Sequence, residues 1–248
     1  MNIRQRLKEI SMSRAMDLSV RDVRIGLGYT AVLLENNQAG VAYTFHREMI
    51  GGCTVFKGLR PLAGRTAQEL LELFDSKDSI ESAVALATCN AISNACPTKC
   101  LDGDILDYLK LDPDDKVGMV GYFAPLVPMI RKKASSLMIF EQVDRAGDVM
   151  LPESDAYRRL PECQVALVTS TAILNHTIDD ILDIASSCRE LVLLGPSTPL
   201  VPEAFAQTPV TALSGVTVQN PLEIMRIVSE GGGMRLFKGY VKKLNLAL

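Results

Sequence analysis

The segment KVGMVGYFAPLVPMIRKKASSLMIFEQV, residues 116 to 143, restricts the fold of this chain more than any other stretch. It reads as a buried apolar strand (Val117 to Tyr122), a turn, a short helix opening on Pro125, and a second apolar strand (Leu137 to Phe140) followed by Glu141. Strands alternating with crossover helices build a parallel sheet. An apolar strand that runs through glycine into a helix N-terminus leaves backbone N–H groups where a ligand can lie. An acidic residue at the end of the next strand is where doubly wound folds hydrogen-bond a ribose. The dinucleotide fingerprint is absent, because Phe123 and Leu126 occupy its second and third glycine positions after Gly121. The geometry is that of a ligand-binding unit, and no cofactor is specified.

The same alternation continues to the end of the chain. QVALVTS, ELVLLG and TALSGVTV read as further strands. Between them lie TIDDILDIASS, capped by Thr177, a short helix in PSTPLVPEAF, and then PLEIMRIVSEGGG, with Asn220 as cap and Pro221 at its first position. LDPDDK, residues 111 to 116, is polar and turn-like, and it divides the chain into two expected domains, 1–112 and 113–248. The first has a different pattern. An amphipathic helix carries Ile3, Leu7 and Ile10, and an antiparallel meander of about three strands follows, its last two joined through Asn36 and Asn37. Thr66 and Glu69 form a capping box, and Asp78 opens a longer helix that Pro97 stops. The expected class is α/β: an α+β domain followed by a parallel-sheet domain covered on both faces.

Charge narrows the partners. The chain of 248 residues has a net charge of −3 with both signs mixed along it, so there is no basic footprint for nucleic acid or an anionic membrane. The opening MNIRQRLKEI lacks the apolar core of a signal peptide, and no window reaches the length of a membrane span. Six cysteines without a regular framework read as reduced thiols. A cytoplasmic protein is expected, and base rates favour a homodimer.

In open parallel sheets, ligands collect outside the carboxyl ends of the strands. Those ends carry Gly121, Tyr122 and Phe123; Glu141; Thr169, Ser170 and Thr171; and Gly195, Pro196, Ser197 and Thr198. Glycines and prolines at one strand end are ordinary turn makers, but four polar turns on one edge suit a small polar or phosphorylated ligand. The loop of residues 46 to 65 holds His46, Arg47, Lys57, Arg60 and Arg65, which would bind anions if it folds over that edge. Asn90 and Asn94 share a helix face. Because an unpaired buried amide costs about 1–3 kcal/mol, they either satisfy neighbouring backbone or face a ligand. Cys96 and Cys100 form C-x-x-x-C, a conceivable soft-metal pair, although Pro97 and Lys99 interrupt the helix and zinc sites want four ligands. No nucleophile elbow, Walker loop or H-E-x-x-H helix occurs, so no catalytic residue is named.

The stretches ALATCNAISN, KVGMVGYFAPLV, LPESDAYRRLPECQVALVTSTAILNHT, LVLLGPSTPLVP and SEGGG are together similar to the two-domain "putative heavy-metal chelation" family. The resemblance implies an enolase N-terminal-like domain followed by a Rossmann-like domain similar to methyltransferases. It implies a site between them, bringing Asn90 and the 46–65 loop to the strand ends at Gly121, Glu141, Thr171 and Gly195. It also implies a role in metal homeostasis. Three readings stay open. The first is an enzyme acting on an anionic or nucleotide-like ligand, in heavy-metal chelation or in making a metal-chelating or pterin-like molecule. The second is an S-adenosylmethionine-dependent methyltransferase-like enzyme. The third is a non-catalytic soft-metal binder using Cys96 and Cys100.

Overall fold

The computed structural model describes residues 1–45, 58, 60–95, 100–141 and 150–248. The first helix, α1 (Ile3–Arg14), starts where the side chains of Asn2 and Gln5 cap each other's backbone, and it buries Ile3 and Leu7. Three antiparallel strands follow, β1 (Val20–Ile25), β2 (Tyr29–Leu34) and β3 (Ala39–Tyr43), in the order β1-β2-β3. Asn37, at φ +63°, takes the left-handed position in the predicted β2–β3 turn.

Two further helices cover this meander. The Thr66–Glu69 capping box starts α2 (Ala67–Leu71), and Asp78 starts α3 (Ser79–Ser93) by accepting from the N–H groups of Ile80 and Glu81. The second of these lies directly on β3 at Gly40. A Cβ at that glycine would sit 2.2 Å from the nitrogen of Ala91 and 2.3 Å from the carbonyl oxygen of Ala87. Only glycine lets the two backbones meet there, and this close approach sets where the far end of α3 reaches.

The second sheet uses β4 (Leu101–Asp102), β5 (Lys116–Val120), β6 (Ser136–Glu141), β7 (Leu151–Pro152), β8 (Val165–Thr169), β9 (Glu190–Leu194), β10 (Ala212–Val218) and β11 (Val241–Ala247). Its order is β4-β11-β10-β9-β8-β5-β6-β7. The helices between these strands are α4 (Val127–Lys133), α5 (Ala156–Arg159), α6 (Ile178–Ile184), α7 (Pro221–Ser229) and α8 (Met234–Phe237). Strands β5 to β10 are parallel as expected, whereas β11 runs antiparallel to β10 and β4 antiparallel to β11. The sequence pattern does not reveal that edge. In β11, Lys242 and Lys243 are adjacent and exposed, which breaks the alternation a strand should show, and charge of this kind is common near sheet edges. Residues 101 to 109 pack with this sheet, placing Ile105 and Leu106 against Val117 and Met119.

Local corrections have local causes. The helix after β5 begins at Val127, not Pro125, because Leu126 first closes a turn onto the Phe123 carbonyl at 2.9 Å. Thr177 gives α6 no side-chain cap, since its hydroxyl donates to Asn175 Oδ1 at 2.8 Å and its backbone is already helical. The short helix in PSTPLVPEAF is a single 3-10 turn, Pro202–Phe205. Asn220 and Pro221 start α7 as predicted.

One face of the large sheet, with Val120, Phe140, Val168 and Leu193, shares a continuous core with Leu7, Leu70 and Leu86 of the first three helices. The other face, with Val117, Met119 and Leu167, packs on Val127 and Ile130 of α4. The buried Arg4 guanidinium ties the two units together, donating to Ser82 Oγ at 3.0 Å, the Ser76 carbonyl at 2.9 Å, the Ile173 carbonyl at 3.1 Å, and the Phe74 carbonyl. Among the described residues, no helix is long and apolar enough to cross a membrane.

Candidate functional site

The chain leaves β5 for β6 on one side and then resumes at β8 on the other. The loops after β5 and β8 therefore diverge, and such a switch point opens a crevice at the carboxyl ends of the strands. Gly121, just beyond β5, has φ +90°, and a Cβ on it would lie 3.0 Å from the Thr169 Cβ. The same Cβ would lie 3.7 Å from the Phe123 ring, so Gly121, Phe123 and Thr169 meet just beyond the ends of β5 and β8. Glu141 ends β6 beside them, since the Gly121 N–H donates to the preceding Phe140 carbonyl at 2.9 Å. The Thr169 and Thr171 hydroxyls are hydrogen-bonded at 2.9 Å. Tyr122 is half-buried against the α4 side of the sheet.

The turn after β9 lies at the same edge of the sheet, next to the end of β8. Gly195 sits at φ +124°, and the Thr198 N–H closes onto its carbonyl at 3.0 Å. The Gly195 N–H donates to the Ser214 carbonyl at 3.0 Å, and Pro196 has no N–H. The N-terminal unit grips it. Asn90 Nδ2 donates to the carbonyls of Val41 at 2.8 Å and Ser197 at 3.1 Å. The Tyr43 N–H donates to Ser197 Oγ at 2.8 Å. Asn94 Nδ2 donates to the carbonyls of Thr198 at 2.9 Å and Val216 at 3.1 Å, and its Oδ1 accepts from the Leu200 N–H at 2.7 Å.

Three oxygens around this turn are buried and make no hydrogen bond among the described residues: Asn90 Oδ1, Ser170 Oγ and Thr198 Oγ1. Ser170 Oγ faces the turn, 3.2 Å from where a Cβ on Gly195 would be. Buried polar atoms are normally paired, and each unpaired one costs about 1–3 kcal/mol. Three such atoms cluster at this one turn.

Tyr43, whose N–H reaches Ser197, is a neighbour of this turn that the sequence pattern does not single out, and Phe45 packs on it. Their rings meet edge-to-face at 5.1 Å, and Tyr43 meets Tyr29 in the same way at 5.9 Å. The readable signal is VAYTF, where residues two apart share a strand face. Burial raises the pKa of the Tyr29 phenol well above its ordinary value. Near the end of β5, a cavity of about 150 Å³ is lined by Val120, Glu153, Ser154, Ala156, Tyr157, Thr177 and Ile181.

Other candidates lie elsewhere. Arg65 pairs with Glu69 at 2.7 Å and donates to the carbonyls of Pro61 and Arg60, so its fork serves the start of α2. Arg60 is exposed beside it. His46, Arg47, Lys57 and Cys96 lie outside the described residues. The Cys100 thiol is half-buried, its pKa pushed up by burial and by Asp102. Among the described residues, no group of three or more His, Cys, Asp or Glu side chains is placed to hold a metal ion.

The chain is similar to proteins without an assigned activity. An uncharacterized protein of Methanocaldococcus jannaschii is 28% identical over 98% of this chain and 96% of its own length. A crystal structure of a protein of unknown function from Pyrococcus horikoshii matches with a TM-score of 0.88 at 26% identity, covering 100% of both chains. Another protein of unknown function, from Desulfitobacterium hafniense, matches in fold with a TM-score of 0.77 at 22% identity, over 98% of this chain and 99% of that one. Family profiles described as "putative heavy-metal chelation" match residues 8–93 and 104–247, and by that match the chain belongs to this family.

Proposed function

We propose that the chain binds a small anionic or nucleotide-like molecule in the crevice between Gly121, Thr169 and the 195–198 turn. It acts there as an enzyme of heavy-metal chelation, forming a metal-chelating or pterin-like small molecule. The observation that carries this reading is the set of three buried, unpartnered oxygens, among the described residues, around one turn beside the sheet's switch point. In this reading Glu141 accepts from a ribose or similar diol, and the hydroxyls of Thr171 and Thr198 donate to anionic oxygens. The described residues supply no three-ligand metal set, so the heavy metal is read as cargo of the small molecule and not as a resident ion of the crevice.

The test is a dye-based thermal scan against nucleoside phosphates, S-adenosylmethionine and a reduced pterin at millimolar concentration. A ligand present at about 100 times its Kd stabilises by about 2.7 kcal/mol, a shift of several degrees. The expected result is such a shift with one class, reduced to about half in Thr198→Val, where a tenfold weaker ligand stands at about 10 times its Kd. A shift with S-adenosylmethionine alone turns the reading to methyl transfer, and no shift with any class rejects the small-molecule site.

A further inference from the structure

We propose that Cys163 and Cys188 form a buried two-coordinate site for a soft divalent metal ion, mercury(II) foremost, at the end of the large sheet opposite the crevice. Cys163 lies two residues before β8 and Cys188 two residues before β9. These strands are parallel neighbours with Val165 opposite Glu190. The pairing extends below the strands, where the Arg189 N–H donates to the Gln164 carbonyl at 2.8 Å. The two cysteines therefore enter the sheet side by side.

Both thiols also turn to the same place. Cys163 Sγ donates to the Arg159 carbonyl at 3.6 Å, and Cys188 Sγ donates to the Leu160 carbonyl at 3.8 Å. Those carbonyls belong to consecutive residues at the end of α5. Gly118 on β5 makes room beneath them: a Cβ there would lie 3.1 Å from Cys163 Sγ and 2.4 Å from Leu160 Cδ1. Cys163 is 2% exposed and Cys188 8% exposed, within the core that holds Phe140, Leu160 and Ala185. Burial pushes the Cys163 thiol to about 12, with the neighbouring Cys188 adding to the shift, and pushes Cys188 to about 11.

The charge balance selects the ion. A divalent soft metal displaces one proton from each thiol, forms two metal–sulfur bonds and leaves a neutral S–M–S unit, which an apolar site tolerates. A monovalent ion would leave a buried negative charge. No third His, Cys, Asp or Glu joins the pair among the described residues, which rules against tetrahedral zinc. A linear ion needs the sulfurs roughly 4.6 Å apart, twice a metal–thiolate bond of about 2.3 Å. The cover is slight: α5 spans Ala156–Arg159 and continues as a 3-10 turn, Leu160–Glu162, so local opening admits the ion. This site does not depend on the crevice or on Cys96 and Cys100.

The test starts from the variant Cys53→Ser, Cys96→Ser, Cys100→Ser, which keeps Cys89, Cys163 and Cys188. It is loaded with one equivalent of mercury(II) chloride, passed through a desalting column and weighed by native mass spectrometry. One mercury per chain is expected. After unfolding, Cys163 and Cys188 should resist iodoacetamide while Cys89 is labelled. Adding Cys163→Ser or Cys188→Ser should weaken retention against N-acetylcysteine at least about tenfold, because the second bond is intramolecular only in the pair, and Cys89→Ala should not. Mercury retained equally without Cys163 or Cys188 overturns the proposal. So does full labelling of both cysteines in the loaded chain, a readout that stands even if the serine variants fail to fold.

Discussion

Asn90 on α3 donates from one nitrogen to the carbonyl of Val41, 2.8 Å away, and to that of Ser197, 3.1 Å away and 107 residues further along the chain. One side chain thus fixes the meander to the turn after β9. The reach depends on Gly40, which lets α3 settle on β3 closely enough for the amide to pass the strand edge. A change in how α3 sits on the meander is therefore a change at the 195–198 turn.

Asn94, one helical turn on, is predicted to be the stronger structural clamp. It pairs with Thr198, Val216 and Leu200, all in buried surroundings. Asn94→Ala removes the side-chain partner of three buried backbone groups and should cost about 3–5 kcal/mol. Urea unfolding measures it, and a loss below about 1 kcal/mol would mean the clamp is replaced by water.

Two glycines should respond in opposite degree to alanine. Gly40→Ala drives a Cβ into the backbone of α3 and should cost at least about 3 kcal/mol or prevent soluble expression. Gly64, at φ +81° with nothing within 4 Å of where a Cβ would stand, pays only for its left-handed backbone, about 1–2 kcal/mol. Thermal unfolding of the pair checks this ranking.

Asp115 predicts a pH dependence. The Arg189 guanidinium donates to both of its oxygens, at 3.1 and 2.8 Å, and the Asp112 N–H donates to one at 2.7 Å. The Arg189 hydrogen bonds, foremost, hold its pKa below the ordinary carboxylate value. The folded pKa is depressed, so the stabilisation is complete above the unfolded pKa of about 3.9 and fades as pH falls through the folded value. Asp115→Asn should lower the urea midpoint near neutral pH and flatten its decline below about pH 4. An unchanged decline would assign acid sensitivity to other carboxylates.

Thr198→Val separates binding from folding. The hydroxyl is buried without a partner among the described residues, so the near-isosteric change should keep stability or raise it by about 1 kcal/mol. Ligand affinity should fall about tenfold, the equivalent of about 1.4 kcal/mol. A matching loss of stability would show that the hydroxyl serves the fold.

Much of this architecture is legible in the sequence because its signals are local. The capping residues Thr66, Asp78 and Asn220, the Asn36–Asn37 turn and the apolar runs of β5, β6, β8 and β9 each announce an element within a few residues. The strand β11 is not legible, because its paired lysines imitate a surface segment. The sequence poses two fates for Asn90 and Asn94 without choosing between them, since their acceptors lie about a hundred residues away and only the fold brings them close. Arg65 looks like an anion ligand because its partner Glu69 also accepts from the Thr66 N–H in the capping box, which hides the pairing. Tyr43 passes as a strand residue, its nearness to Ser197 being set by packing.

The most direct measurement is a crystal structure of the chain as purified, with attention to the crevice. Non-water density within hydrogen-bonding distance of Ser170 Oγ or Thr198 Oγ1, reaching toward Glu141 over Gly121, is the predicted result. Finding both hydroxyls paired within the protein, and the ends of β5, β8 and β9 filled by its own side chains, would contradict it.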